Sequence, residues 1–394
     1  MSDTQPFVSK GQQALIQNYG RSPVMMVRGE GCHVYDYNGK EYLDLFAGFG
    51  GCVLGHCHPV LVAAATEQAG RLWHVGNAFY TTPQIEFAEK IKDHAFDGRA
   101  FFCHSGLEAN EAAVKLARLR GLADGGKRWK TISLFKSFHG RSLAMIAATG
   151  NTAVKEGFGP PVPGFLNIEP GDIDALRDAI DDETAAVIME PIQGEGGVNE
   201  YAADYVRQVR RLCDQHNLTL IFDEVWTGCG RTGRWFAHQW GDVEPDVMTL
   251  GKAVGGGLPV GVMYAKPTLA ALLTPGKHGC TLGGNPICMA VARTIFDVIE
   301  KENLVEHAAT LGEAAMPVLR KTPGGKVADV RGHGLFIGIE LRDEPKRFAE
   351  VALEHGLIVN LTAKRVIRLA PPINISAALW QEGVERVVRF IEAL

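Results

Sequence analysis

Between about residues 60 and 285, short apolar runs alternate with longer amphipathic stretches, and this alternation constrains the fold more than any other feature of the chain. A strand, then a helix, then a strand again predicts βαβ units feeding a mostly parallel sheet. The expected strands are AFFCH (100–104), TISLF (131–135), AAVIME (185–190), LTLIFDE (218–224), VMTLG (247–251) and VGVMYA (260–265). Helical patterns lie between them, among them LEANEAAVKLARLRG (107–121), which ends on a glycine stop, and ADYVRQVRRLCDQH (203–216). After residue 286 the texture changes to the strongly helical ICMAVARTIFDVIEKENL, the shorter strands GLFIGIEL (334–341) and VIRLAPP (366–372), and a closing helix near 377–394. A chain of 394 residues exceeds the roughly 250–300 that one core holds. The expected division is therefore a large α/β domain over 51–285 and a smaller α+β domain over 286–394, with the hairpin-like segment 1–50 packing on the smaller one.

The charge balance narrows the function classes. A net charge of −5 with no cluster of Lys and Arg gives no basic face, so neither a nucleic-acid partner nor a membrane is expected. Eight cysteines are scattered with no CxxC pair, which fits free thiols in a reducing cytoplasm and offers no metal-ligand spacing. The start, MSDTQPFVSKGQQ, lacks the basic and apolar regions of a signal peptide, and no uninterrupted apolar run reaches the roughly 18 residues of a membrane span.

Ligands of open α/β sheets bind beyond the carboxyl ends of the strands. Ser105, Gly106, Phe138, His139, Arg141, Glu190, Asp223 and Lys252 all fall at or just past predicted strand ends. Ser105-Gly106-Leu107 stands between a strand and a helix, so unpaired N–H groups at that helix start can hold a phosphate; a plain serine N-cap is the alternative. Lys252 lies in TLGKAVGGGLPVG, where glycines let a ligand approach and apolar neighbours favour a neutral, nucleophilic amine. Asp223 closes an apolar strand and needs a cationic or hydrogen-bonding partner, either Arg231 or Arg234 nearby or the protonated nitrogen of a pyridine ring. A phosphate cradle, an acid for a ring nitrogen and a reactive lysine, in that order along the chain, together meet the needs of pyridoxal phosphate (PLP).

A competing motif is present. In IFDEVWTGCGRTG, Gly228, Gly230 and Gly233 match the dinucleotide spacing GxGxxG. The residues DEVWT intervene between the strand and Gly228, however, and the unit comes late in the chain, whereas a dinucleotide site places its first glycine directly after the first strand. The match is read as accidental.

The ordered motifs LGHCHP (54–59), LWHVGNAFYTTPQ (72–84), SGLEANEAAVKLAR (105–118), FHGRS (138–142), EPIQGEGGV (190–198), DEVWTGCGRTG, TLGKAVGGGLPVG, TLGGNP (281–286) and VIRLAPPINI (366–375) resemble the class III aminotransferases, PLP enzymes of fold type I. LWHVGNAFY, FHGRS and NLTAKRVIRLAPP resemble the acetylornithine type within that family. The resemblance implies the fold type I architecture, a large domain with a mostly parallel seven-stranded sheet plus a smaller α+β domain. It implies a homodimer with active sites at the interface, and transfer of the δ-amino group of N2-acetyl-L-ornithine to 2-oxoglutarate. Lys252 would hold the cofactor aldehyde and shuttle the proton, and Asp223 would pair with the ring nitrogen. Val225 and Phe138 would flank the ring, Ser105, Gly106 and Leu107 would take the phosphate, and Glu190 and Trp226 would complete the cofactor shell. Thr281 would complete the phosphate site of the partner subunit. Arg141 would bind the donor α-carboxylate beside Cys280, and Glu195 would mask Arg368 until the dicarboxylate acceptor arrives.

Two residues depart from the family pattern. Trp226 stands where the family usually has Gln to contact the cofactor's phenolic oxygen, and Phe49 stands where the ornithine enzymes usually have Tyr. The second departure favours acetylornithine over ornithine. Related ω-aminotransferases acting on succinyldiaminopimelate, succinylornithine, ornithine or 4-aminobutyrate, and a PLP isomerase or racemase on the same fold, are the alternatives.

Overall fold

The computed structural model describes residues 5–394. Its main sheet has seven strands in the order Arg99–Cys103, Gly261–Ala265, Val247–Leu250, Thr219–Asp223, Thr184–Met189, Lys130–Leu134 and Phe165–Ile168. All six expected strands are there. The seventh, Phe165–Ile168, escapes a sequence reading because it is a short edge strand carrying Asn167 and a half-exposed Leu166. Thr184–Met189 and Thr219–Asp223, by contrast, are buried along their whole length, as central strands covered on both faces must be.

One strand runs against the others. Gly261–Ala265 pairs antiparallel with both Val247–Leu250 and Arg99–Cys103. The link over 251–260 contains only the short turn Lys252–Gly255 and no crossover helix, so the chain has to return antiparallel. The turn carrying Lys252 is thereby pressed against the start of helix Gly106–Gly121. A Cβ on Gly261 would lie 2.1 Å from the Ser105 carbonyl oxygen, so only glycine allows this approach. The helix meets the sheet through the buried Ala109, Ala112, Ala113 and Ala117, whose small side chains let it sit close.

The remaining elements form two further four-stranded sheets. Val327–His333, Phe336–Leu341, Val366–Leu369 and Asn360–Thr362 form an antiparallel sheet packed by helix Leu304–Arg320, against which helix Ala377–Ala393 lies. Met26–Glu30, His33–Asp36 and Glu41–Asp44 form an antiparallel meander whose last strand pairs in parallel with Leu357–Ile358. One apolar core runs from Leu43 through Phe87 and Phe296 to Ile337 and Phe390. Phe87 and Phe296, both fully buried, meet edge to face with centroids 5.4 Å apart, and burying each such side chain stabilises the fold by about 1.5–3 kcal/mol. Among the described residues no helix is long and apolar enough to cross a membrane.

Candidate active site

The carboxyl ends of the parallel strands open into a cleft of about 400 Å³. Ser105, Gly106, Leu107, Phe138, Arg141 and Glu190 line it together with Asp223, Val225, Trp226 and Lys252, so residues far apart in sequence converge as expected.

At one end lies the start of helix Gly106–Gly121. Ser105 caps it, its Oγ accepting from Glu108 N at 3.3 Å and donating to Glu108 Oε2 at 2.9 Å. Ser105 is therefore a true N-cap, and the backbone N–H groups of Gly106 and Leu107 remain without a protein acceptor among the described residues. They form an anion seat. A Cβ on Gly106 would come within 2.5 Å of Val225, and one on Gly251 would meet Gly106 N at 3.0 Å. The seat exists only because both positions lack a side chain.

In the centre, Asp223 ends its strand fully within the protein. Its Oδ2 accepts from Asn110 Nδ2 at 2.7 Å and lies 2.8 Å from His139 Nδ1, while Oδ1 accepts from Val225 N at 3.1 Å. Asn110 also donates to the His139 carbonyl and accepts from Thr249 Oγ1 at 2.6 Å, which fixes its orientation. Neither Arg231 nor Arg234 pairs with Asp223; Arg231 is buried elsewhere against the Leu335 and Pro371 carbonyls. Glu190 accepts from Phe138 N at 3.0 Å and Gly194 N at 2.9 Å, and burial, then the charge of Asp223, pushes its pKa up to about 7. Glu190 thus ties down the two loops that flank the cleft.

The second acid of the pair, Glu224, points the other way, as strand alternation requires. It accepts from Ala237 N at 2.9 Å and His238 N at 2.8 Å and serves as a buried loop anchor. The glycines beyond it do not begin a helix. Gly230 and Gly233 take positive φ in turns, and a Cβ on Gly233 would strike Ala309 at 2.7 Å, which explains them without a dinucleotide.

Lys252 occupies a left-handed φ of 45° and makes no hydrogen bond or ion pair among the described residues; its Nζ lies 4.5 Å from the centroid of the Trp226 ring. Burial lowers its pKa to about 8, against the opposing pull of Glu195 and Asp223. The neutral amine predominates above that pH. At pH 8 about half the lysine is uncharged, against well under about 1% for an ordinary one. The rate at which the cofactor-free protein captures pyridoxal phosphate covalently should therefore rise with pH and level off above about 8. Stopped-flow absorbance checks this; a rate still climbing tenfold per unit at pH 10 would contradict the assignment.

On the side of the smaller domain stands a buried cation. Arg368 is fully inaccessible, donates to Asn360 Oδ1 at 2.9 Å, and lies 3.0 Å from Glu195 Oε1, near enough to pair by charge though not aligned as a hydrogen bond. The directional bond to that same oxygen comes from Trp226 Nε1 at 3.1 Å. The Arg368 guanidinium sits 4.0 Å from the indole centroid, and Phe336 stacks on the ring at 5.4 Å.

Three expected residues stand at or beyond the edge of this chain's cleft. Arg141 is exposed at the cleft mouth, its guanidinium 5.5 Å from the Phe138 centroid. Cys280 and Thr281 do not line the cleft of their own chain. Cys280 Sγ lies 3.3 Å from His104 Nδ1 and 3.8 Å from Glu108 Oε1, a group of three possible ligand atoms that no sequence spacing announces. Thr281 is exposed, in a segment tied by Asn77 to the Cys280 and Gly283 carbonyls and by Asn285 to the Trp73 carbonyl. Asn110, which orients Asp223, was missed by sequence reasoning; a lone Asn on the alanine-rich face of a helix was the available signal.

An anion seat, a buried carboxylate held ready for a cation and a lysine that gives up its proton easily, in one cleft, are the parts a PLP enzyme needs. The residues fit that cofactor, since two backbone donors at the helix start lack partners, a buried carboxylate stands ready for a ring cation and a lysine amine shares the same cleft. The profile of the family described as aminotransferase class-III matches residues 15–391. An acetylornithine aminotransferase from Myxococcus xanthus is 42% identical over 381 residues, 95% of each chain. The acetylornithine aminotransferase structure from Elizabethkingia anophelis matches with a TM-score of 0.89 and 32% identity over the whole of both chains. A Toxoplasma gondii ornithine aminotransferase structure, which reveals partial occupancy of PLP at its active site, matches with a TM-score of 0.94 and 33% identity, covering 98% of this chain and 94% of the other. The chain belongs to the class-III aminotransferases.

Proposed function

We propose that the protein moves the δ-amino group of N2-acetyl-L-ornithine to 2-oxoglutarate, giving N-acetyl-L-glutamate 5-semialdehyde and L-glutamate in the cytoplasm as a step of arginine biosynthesis. Beyond the kinship with acetylornithine aminotransferases, the carrying observation is the pair of unlike arginines: Arg141 exposed and free for a carboxylate, Arg368 buried and masked by Glu195. A donor with one carboxylate and a distal amine needs the first; a dicarboxylate acceptor needs both. Phe49 offers no phenol for an ornithine carboxylate, which favours the acylated donor.

PLP supplies an electron sink that stabilises negative charge on the carbon losing its proton. The Gly106 and Leu107 N–H groups, at the helix start capped by Ser105, would hold its phosphate, and Val225 and Phe138, which line the same cleft, would flank the ring. Asp223, oriented by Asn110 and His139, faces the ring nitrogen, and its negative charge keeps that nitrogen protonated. Lys252 Nζ is the group that would hold the cofactor's aldehyde and, once released, would in its neutral form serve as the base for the proton on the amine-bearing carbon. Buried walls at Trp226 and Val260 keep water from that proton.

A second copy of the chain completes the site in this reading. Trp73, Phe79 and Tyr80 are 67%, 65% and 95% exposed, and they belong to the segment bonded to 280–285, so a partner that covers them also receives Thr281. A Tyr80→Asp variant should shift sedimentation toward monomer and lose phosphate affinity together.

Replacing Glu195 with alanine tests the masking. It should speed the half-reaction with α-amines such as L-glutamate relative to N-acetylornithine by roughly tenfold, about the worth of one charge pair. Single-turnover spectra with each amine in turn read both rates, and conversion by N-acetylornithine no faster than by 4-aminobutyrate would overturn the donor assignment.

A further inference from the structure

We propose that Trp226 is a specificity-determining latch: its indole N–H fixes Glu195 across Arg368 and so sets how readily the cleft admits a second carboxylate. The proposal rests on the reading of Glu195 and Arg368 as a mask and a carboxylate site.

Glu195 Oε1 has two neighbours. Arg368 Nη1 approaches it at 3.0 Å without hydrogen-bond alignment, while Trp226 Nε1 donates to it at 3.1 Å with proper geometry. Charge draws the carboxylate toward the arginine, and the indole adds a directional bond to the same oxygen. The Arg368 guanidinium also lies over the same ring, 4.0 Å from its centroid, a contact that does not depend on Glu195. Trp226 itself cannot drift. A Cβ on Gly194 would lie 2.5 Å from its Cδ1 and one on Gly50 2.8 Å from its Cζ3, and Phe336 stacks on it. The indole fills a slot made by two glycines and an aromatic wall.

Opening the mask therefore costs more than separating two charges. When Glu195 swings away, Trp226 Nε1, on a side chain only 4% exposed, is left as a buried donor without an acceptor. Glu195 has somewhere to go, since it also borders a polar cleft of about 480 Å³ that contains Lys136 and Arg365. The arginine it leaves behind is preorganised for a carboxylate. The latch thus favours the closed state by penalising the open one, while leaving Arg368 in place for an incoming carboxylate, and biases the enzyme against amines that carry an α-carboxylate beside the reacting carbon.

Glutarate, an unreactive dicarboxylate, separates the outcomes when titrated calorimetrically into the PLP-loaded dimer. Trp226→Phe keeps an aromatic ring in the slot and removes only the donor. It should bind glutarate about three- to tenfold more tightly than the wild type, and the ratio of KM for 2-oxoglutarate to KM for the ω-amine donor should fall by a similar factor. Glu195→Ala should tighten glutarate at least as much, and the double variant should bind it no more tightly than Glu195→Ala alone, because the indole acts through that carboxylate. If Glu195→Ala tightens binding while Trp226→Phe leaves it unchanged or weakens it, the latch is wrong and the masking reading survives. If Glu195→Ala itself fails to tighten binding, the masking reading falls and the latch with it.

Discussion

Replacing Lys252 with alanine should lower turnover by about a thousandfold or more, because in the proposed mechanism one amine would both hold the aldehyde carbon and move the proton, and proton transfer alone is worth about 10²–10⁴. The fold should not suffer. Burial already opposes the charge of this lysine, lowering its pKa from 10.5 to about 8, so the native state gains nothing from the ammonium at neutral pH. The sign follows from linkage: a cationic group whose folded pKa lies below its unfolded one makes the protein less stable as pH falls below the unfolded value. Removing it at pH 7 should leave the cofactor-free Tm equal or higher. Thermal melts with single-turnover kinetics on the same preparation check both halves; a variant with a tenth of the wild-type rate would refute the role.

Asp223→Ala should damage both function and fold. The carboxylate is the shared acceptor for Asn110 Nδ2 and His139 Nδ1, so its loss orphans two buried donors at about 1–3 kcal/mol each. It also removes the negative charge that faces the ring nitrogen, so PLP should be lost on dialysis and the rate should fall at least about a hundredfold. Asp223→Asn keeps the volume and one acceptor, and should regain much of the stability but little of the rate. Denaturant unfolding and retained PLP absorbance separate the two effects; equal recovery of both by asparagine would show that charge is not what Asp223 supplies.

The parts of this molecule that were legible in the sequence are those fixed by burial and by backbone. Thr184–Met189 and Thr219–Asp223 announce themselves as unbroken apolar runs because both faces of the sheet are covered. Gly106, Gly251 and Lys252 are readable because a side chain at either glycine would collide with the opposite element. The less legible parts depend on contacts between distant segments. Phe165–Ile168 is short and at the edge, where packing leaves little pattern. Asn110 acquires its meaning only from Asp223, 113 positions away, and His104 and Cys280, separated by 176, share no local signal. Trp226 was expected against the cofactor's oxygen in place of the usual Gln. It lines the cleft, but its single N–H is spent on Glu195, which no motif predicts.

The slot around Trp226 carries an evolutionary consequence. Gly194 takes no left-handed φ, and the three atoms nearest to a Cβ there, at 2.5–3.0 Å, all belong to the indole, so the tryptophan demands glycine at that position. Glycine at 194 and tryptophan at 226 are therefore epistatic: a lineage can acquire alanine at 194 freely once 226 is small, and can acquire tryptophan at 226 only while 194 is bare.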